Sequence, residues 1–189
     1  MALLKSTLRP GLWSLAAGLV LLGASPLAAQ GVRASASEVQ AVFLFNFAQF
    51  VDWPPEAFPD SQAPLVIGIL GKDPFGSFLD ETVRGEKVRG RAFQIDRYRR
   101  VEDVKDCQIL FISRSEAKRL DATLSALKGR PILTVSNGDD FERSGGIIRF
   151  ILDESKIRLS VDLEAAQAAR LTFSSKLLRS AEIVPASSR

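Results

Sequence analysis

Apolar residues along this chain fall into three patterns, each predicting a different kind of element. Residues 12–22 form a short uncharged apolar run, residues 38–51 are almost continuously apolar, and from Leu65 onward short apolar runs alternate with amphipathic segments. Brief apolar runs bounded by turn formers read as strands, here at 65–70, 93–98, 108–113 and 132–136. Between them, Asp73-Pro74 offers a cap and first helical position for a helix toward Val83, and Ser113 with Glu116 has capping-box spacing for a helix toward Leu127. Gly145-Gly146 introduces a run at 147–152, Asp153-Glu154-Ser155 turns the chain, and 156–161 returns as an antiparallel partner. Asp162 caps a helix through Arg170, and a final helix spans 174–181 before a loose tail at 185–189. Repeated β-α-β order implies parallel pairing. The predicted fold class is therefore α/β: a single domain over 37–184 with a mostly parallel mixed sheet, helices on both faces and an antiparallel hairpin near the C-terminus.

The first long apolar stretch ends at Trp53 before Pro54-Pro55, which a helix cannot continue through. At 100° per residue, Val39, Phe43, Phe47, Phe50 and Val51 gather on one broad face, while Asn46, Gln49 and Asp52 fall opposite. That face is predicted to be core, as expected for a helix apolar over most of its circumference. Phe45 falls among the polar positions and so becomes a candidate contact residue.

Residues 1–29 carry Lys5 and Arg9 ahead of the 12–22 run, with Gly23, Ser25 and Pro26 behind it. This is the layout of a cleaved secretory signal, and the run is short for a membrane span of about 20 residues. Cleavage after Ala29 or after Ala36 fits the small residues there. Charge changes meaning once this segment is set aside. The full chain has 25 Lys and Arg against 22 Asp and Glu, a net +3, whereas a chain starting at Gln30 is only +1. A general attraction to nucleic acid, which rests on phosphate neutralisation, loses its basis, and no nucleic-acid partner is expected. Positive charge is instead concentrated at 84–100, where seven basic residues (Arg84, Lys87, Arg89, Arg91, Arg97, Arg99, Arg100) face Glu86 and Asp96, a local +5. Such a segment is either a solvated strand edge or a docking surface for an acidic partner or anionic lipid.

Candidate chemistry is sparse. With no histidine and a single cysteine, Cys107, the chain lacks the residues for a Ser-His-Asp triad, a Cys-His pair or the usual zinc site. Cys107 opens an apolar run and reads as a small buried hydrophobe. The loop Gly71-Lys72-Asp73-Pro74-Phe75-Gly76 has the position of a phosphate loop without its glycine and Lys-Ser spacing. Ser115-Glu116-Ala117-Lys118 matches S-x-x-K without the companion elements of penicillin-recognising enzymes. Asn137, Asp139 and Asp140 form an acidic loop without EF-hand spacing. A serine hydrolase using Ser115 and Lys118, or a small-ligand sensor using the loops at Gly71 and Asn137, are the alternatives to a binding module. No catalytic, cofactor or metal residue is assigned.

Three segments resemble the YfiR family: residues 41–54, ending in Phe50-Val51-Asp52-Trp53-Pro54; residues 69–76; and Gly145-Gly146-Ile147-Ile148-Arg149-Phe150. Residues 171–178 fit its C-terminal pattern, so the likeness runs through the whole mature chain in order. The resemblance implies an α/β periplasmic regulator without catalytic activity and without a cofactor. Such a regulator restrains an inner-membrane diguanylate cyclase by binding its periplasmic portion, which lowers cyclic-di-GMP and biofilm formation. It also implies a homodimer, and sequestration by an outer-membrane OmpA-like lipoprotein; other members accompany different envelope signalling systems. Redox control through paired cysteines does not carry over, since only Cys107 is present. For such a partner the residues offer two docking segments, Phe45 with Trp53 and Pro54, and Arg84, Arg89 and Arg91 within the basic stretch. Trp53 serves equally well as a core anchor where the helix stops.

Overall fold

A computed structural model describes residues 35–153 and 156–184. The predicted signal segment 1–29 and the tail 185–189 lie outside the described residues. The described residues form one compact unit. Helix α1 (Ala36–Phe50) starts at a capping box, in which the Ser35 side chain accepts from the Glu38 amide and Glu38 accepts from the Ser35 amide. It stops where Val51 turns extended, and β1 (Val51–Asp52) and a 3-10 turn (Pro55–Ala57) follow. The chain then runs through β2 (Leu65–Leu70), α2 (Ser77–Val83), β3 (Lys87–Val88), β4 (Arg91–Tyr98), β5 (Ile109–Ile112), α3 (Leu120–Leu127) and β6 (Leu133–Ser136). The hairpin β7 (Ile148–Asp153) and β8 (Lys156–Val161) comes next, then α4 (Leu163–Ala168), β9 (Thr172–Phe173), α5 (Ser175–Leu178) and β10 (Ala181–Ile183).

Eight strands make one sheet in the order β10-β8-β7-β6-β5-β2-β4-β3, and β1 and β9 pair as a separate antiparallel ribbon. The run β4-β2-β5-β6-β7 is parallel, β7 and β8 are antiparallel, and β3 is antiparallel to β4. The predicted class is thus observed: a mixed α/β domain with helices against a large, mostly parallel sheet and an antiparallel hairpin late in the chain. Period-2 alternation sorts the core in two. Leu65, Ile67, Ile69, Ile109, Phe111, Leu133 and Val135 pack with α1, α2 and α4. Val66, Leu70, Leu110 and Ile112 pack with α3, Phe141 and Cys107. Gly68 belongs to the second side, where a Cβ would lie 2.6 Å from the Tyr98 ring and 2.8 Å from the Cys107 sulfur. Burial there pushes the Cys107 thiol up to about 12, and the same burial raises the Tyr98 hydroxyl above its ordinary range.

Four details differ from the pattern reading. The buried stripe of α1 is Gln40, Ala41, Leu44, Phe47 and Ala48, not one centred on Val39, Phe43 and Phe50. Small Ala41 and Ala48 let the helix axis approach the sheet, and the larger rings then reach sideways: Phe43 packs on Phe150 at 5.8 Å between centroids. Helix α2 begins at Ser77, because Asp73 spends its side chain on the Phe75 and Gly76 amides in a preceding turn. The Ser113–Glu116 capping box does not form, since the Ser113 amide is used by the carbonyl of Leu70; a 3-10 segment, Arg114–Arg119, precedes α3. The final helix is one turn, and the residues after it pair as β10 beside β8.

One buried amide ties the segment after α1 to the central strands. Gln108, 1% exposed, accepts from the Val66 amide at 2.8 Å and donates to the Ala57 carbonyl at 2.6 Å. Its own carbonyl accepts from Trp53 Nε1 at 3.1 Å and from the Leu133 amide at 2.8 Å. Replacing Gln108 by leucine strands a buried donor and a buried acceptor, at about 1–3 kcal/mol each. Thermal melting of Gln108→Leu is expected to fall by several degrees or more, and an unchanged melting temperature would show the amide to be dispensable.

Candidate functional site

The place where open α/β sheets bind ligands is the crevice beyond the carboxyl ends of strands at which chain order reverses. Here that point lies between β2 and β5, since β2 has β4 on one side and β5 on the other. The chain fills it with its own atoms. Ser115 Oγ accepts from the Lys72 amide at 2.9 Å, and Gly71, at φ +89°, lies so close to Ser115 and Glu116 that a side chain there would collide with both. Glu116 is buried and paired with Arg119 at 3.0 Å, which adds negative charge where a phosphate would need positive. Ser115 therefore acts as a loop clamp, while Lys118 of the S-x-x-K match is exposed. The acidic loop is likewise answered by arginines: Asp139 by Arg114 at 3.6 Å and Asp140 by Arg143 at 3.4 Å. Among the described residues no cluster of three metal-ligating side chains occurs. A cleft of about 430 Å³ does open between α3 and α4, lined by Leu124, Lys128, Arg130, Thr134 and Arg143, but neither Gly71 nor Asn137 lines it.

The two docking segments chosen from sequence meet at the β3–β4 side of the domain. Phe45 is half-buried, its ring 5.2 Å from that of Phe93 on β4. Arg89, at positive φ in the tight turn between β3 and β4, pairs with Asp52 of β1 at 2.6 Å. Arg91 lays its guanidinium 3.9 Å over the Phe58 ring and donates to the carbonyls of Asp60 (2.9 Å) and Ala63 (2.6 Å). Trp53 and Pro54 are half-buried, with the Trp53 indole turned inward to Gln108. Arg84 stands apart at the C-terminal end of α2, exposed. Thus Arg91 is a structural clasp as much as a surface charge, and Arg84 and Arg89 are the cations presented to solvent.

Several residues of this side escaped the sequence reading. Asp52, Phe58, Asp60 and Phe93 hold the basic segment in place, yet each is an isolated residue whose role depends on long-range pairing; the one available signal was their proximity in sequence to Trp53-Pro54 or within the basic run. Arg97, counted only as part of the charge run, is the most engaged cation. It bonds Asp73 at 2.8 Å, Asp80 at 2.6 Å and the Gly76 carbonyl at 3.0 Å, fastening β4 to α2. The hydrogen bond from Arg97 holds the Asp80 carboxyl below its ordinary range, and the carboxylates push Arg97 higher still. Arg100 pairs with Asp103 at 3.0 Å. Part of the local +5 is thereby neutralised, leaving Arg84, Lys87, Arg91 and Arg99 outside any ion pair among the described residues, Arg91 being held by carbonyls and a ring.

These features define an α/β domain whose nucleotide-type crevice is self-filled and whose β3–β4 edge carries exposed cations, as suits a module that works by binding. The chain belongs to the YfiR/HmsC-like family (DUF4154), whose profile matches residues 37–182. Membership supports a regulatory, non-catalytic role in the periplasm, and no helix among the described residues is long and apolar enough to cross a membrane. No curated protein matches the sequence. Among solved structures, a conserved domain protein from Vibrio cholerae O1 biovar El Tor str. N16961 shares the fold at 12% identity and a TM-score of 0.50. That match covers 80% of this chain and 60% of the Vibrio chain, so this chain spans three fifths of its length.

Arg91→Ala removes a ring stack and two hydrogen bonds, and is expected to cost about 1–3 kcal/mol, lowering the melting temperature by several degrees. Arg84→Ala, with nothing to lose, is expected to leave it unchanged; equal effects would refute this division of roles. The Arg97–Asp80 pair predicts an acid-side dependence. Because the folded Asp80 carboxyl ionises below its unfolded value of about 3.9, its contribution is present at neutral pH and fades as pH falls through the lowered folded value. Arg97→Gln should flatten that part of the stability-versus-pH curve, read by denaturant titration between pH 6 and pH 2.

Proposed function

We propose that this protein is a non-enzymatic periplasmic regulator that binds the periplasmic portion of an inner-membrane diguanylate cyclase and restrains it, lowering cyclic-di-GMP and biofilm formation. In this reading residues 1–29 direct export and are removed, and the mature domain acts as a homodimer that an outer-membrane OmpA-like lipoprotein can sequester. The observation that carries it is the convergence of Phe45, Trp53, Pro54, Arg89 and Arg91 on one side of the domain, with Arg84 exposed at the end of α2. A partly exposed surface of mixed aromatic and arginine character has the composition of protein interfaces. Family membership supports the regulatory half of the reading. Ser115, the nucleophile of the competing hydrolase reading, is occupied in holding the Lys72 amide.

Deleting the gene in its host is expected to raise cyclic-di-GMP and surface attachment, and a chromosomal Arg84→Glu, Arg89→Glu variant should reproduce part of that rise with normal protein levels. Unchanged cyclic-di-GMP in a deletion strain that retains an intact membrane cyclase would remove the cyclase as target. The cleft between α3 and α4 favours a second reading, a sensor of small envelope metabolites. A metabolite that binds the native state must raise the melting temperature, and a Lys128→Glu variant should abolish that rise for an anionic ligand.

A further inference from the structure

The outer edge of β4 is where the sheet is left incomplete. β3 covers only two positions of it, Lys87 opposite Ala92 and Val88 opposite Arg91. From Phe93 to Tyr98, β4 pairs inward with β2, and no strand lies on its other side among the described residues. Gly85 and Glu86 lead the chain away from this edge toward α2, leaving a groove of about 280 Å³ lined by Val83, Arg84, Lys87, Ala92, Phe93 and Ile95. Phe93 and Ile95 are half-buried, so the floor is apolar and partly open. Unpaired strand edges offer a row of backbone donors and acceptors that proteins cover, blunt or use. Six free positions match the common length of an added strand, about 5–6 residues.

Charge selects the occupant. Arg84 and Lys87 border the groove, both exposed and outside any ion pair among the described residues. Of the two carboxylates in the lining, Asp80 is held by Arg97, which leaves Glu86. A second copy of this chain docking edge to edge would bring the unpaired Arg84, Lys87 and Arg99 of both copies to one seam, where like charges repel. An acidic chain meets the opposite situation. We propose that β4, along residues 93–98, accepts an extended acidic segment of a partner protein as an added strand. An apolar side chain of that segment sits over Phe93 and Ile95, and its carboxylates meet Arg84 and Lys87. This is strand addition, with main-chain bonds supplying affinity and the groove and its rim supplying selectivity. It rests on the reading of the protein as a protein-binding regulator and specifies how the partner is held.

The test uses a fluorescein-labelled six-residue peptide of alternating valine and threonine with two glutamates at one end. Its companions carry lysine for glutamate, or N-methyl groups at every second amide in either phase. Anisotropy titrations into the mature domain should show the glutamate peptide binding at least tenfold tighter than the lysine peptide. One phase of N-methylation should abolish binding, rising salt should weaken it, and amide NMR shifts should centre on residues 93–98. The Arg84→Glu, Lys87→Glu double variant should reverse the charge preference while keeping its melting temperature. Absent binding, equal affinity for the two charge forms, indifference to N-methylation, or shifts on another face would each overturn the proposal, as would a concentration-dependent dimer that buries 93–98. The gene deletion reads the regulator function separately. A rise in cyclic-di-GMP without peptide binding removes only the strand addition, and peptide binding with unchanged cyclic-di-GMP removes the cyclase and keeps the edge.

Discussion

The Gln108 side chain sits at the junction of the two central strands and the segment that follows the first helix. Its amide completes the start of β2 and holds the carbonyl of Ala57, while its backbone carbonyl holds Trp53. A buried amide satisfied on both sides is specific in a way that apolar packing is not, because any displacement leaves polar groups without partners. Part of the β3–β4 side is tied to this junction. Asp52 precedes Trp53 and meets Arg89, and Phe58 follows the anchored Ala57 and meets Arg91. Arg89 and Arg91 are thus held through neighbours of residues that Gln108 anchors.

The distribution of charge follows the same economy. A basic segment of local +5 would destabilise an isolated edge by self-repulsion, yet its arginines reach acids elsewhere in the chain: Asp52 on β1, Asp73 in the turn before α2 and Asp80 within α2. These pairs are 40–61% exposed on at least one partner, where each is worth well under 1 kcal/mol. Their value lies in orientation. They tie Arg89 to β1 and Arg97 to α2 and leave Arg84, Lys87 and Arg99 exposed without an acidic partner, so a run that is uniform in sequence is divided in space.

Legibility in the sequence tracked the range of the interaction concerned. Strands buried on both faces, such as Leu65–Leu70 and Ile109–Ile112, announced themselves as apolar runs, and the late hairpin was visible from its glycines and turn. The cap at Asp162 was also visible, being local, and its side chain does accept from the Ala165 amide. What went unread needed a partner far along the chain. The two-residue strands β1, β3 and β9 have no period of their own, and β10 takes its conformation from β8. The Ser113 box looked sound by spacing and failed because β2 had a prior use for the Ser113 amide. Phe45 was singled out because it falls among the polar positions of α1, and the structure half-buries it against Phe93, nearly fifty residues on. The candidate site was legible as two segments, and their meeting required Asp52, Phe58 and Phe93.

Cys107 closes the account of the second core layer. It is 3% exposed, packed over Gly68, and its sulfhydryl donates to the Ile109 carbonyl at 3.0 Å. A thiol so placed, with ionisation pushed up to about 12, offers neither access nor thiolate to an oxidant. In a compartment that forms disulfides, a lone cysteine on the surface would couple the protein to whatever thiol it met. Here that hazard exists only while the chain is open, so the sulfur behaves as a built-in gauge of opening: the rate at which a thiol reagent captures it counts the moments when β2 and β5 come apart.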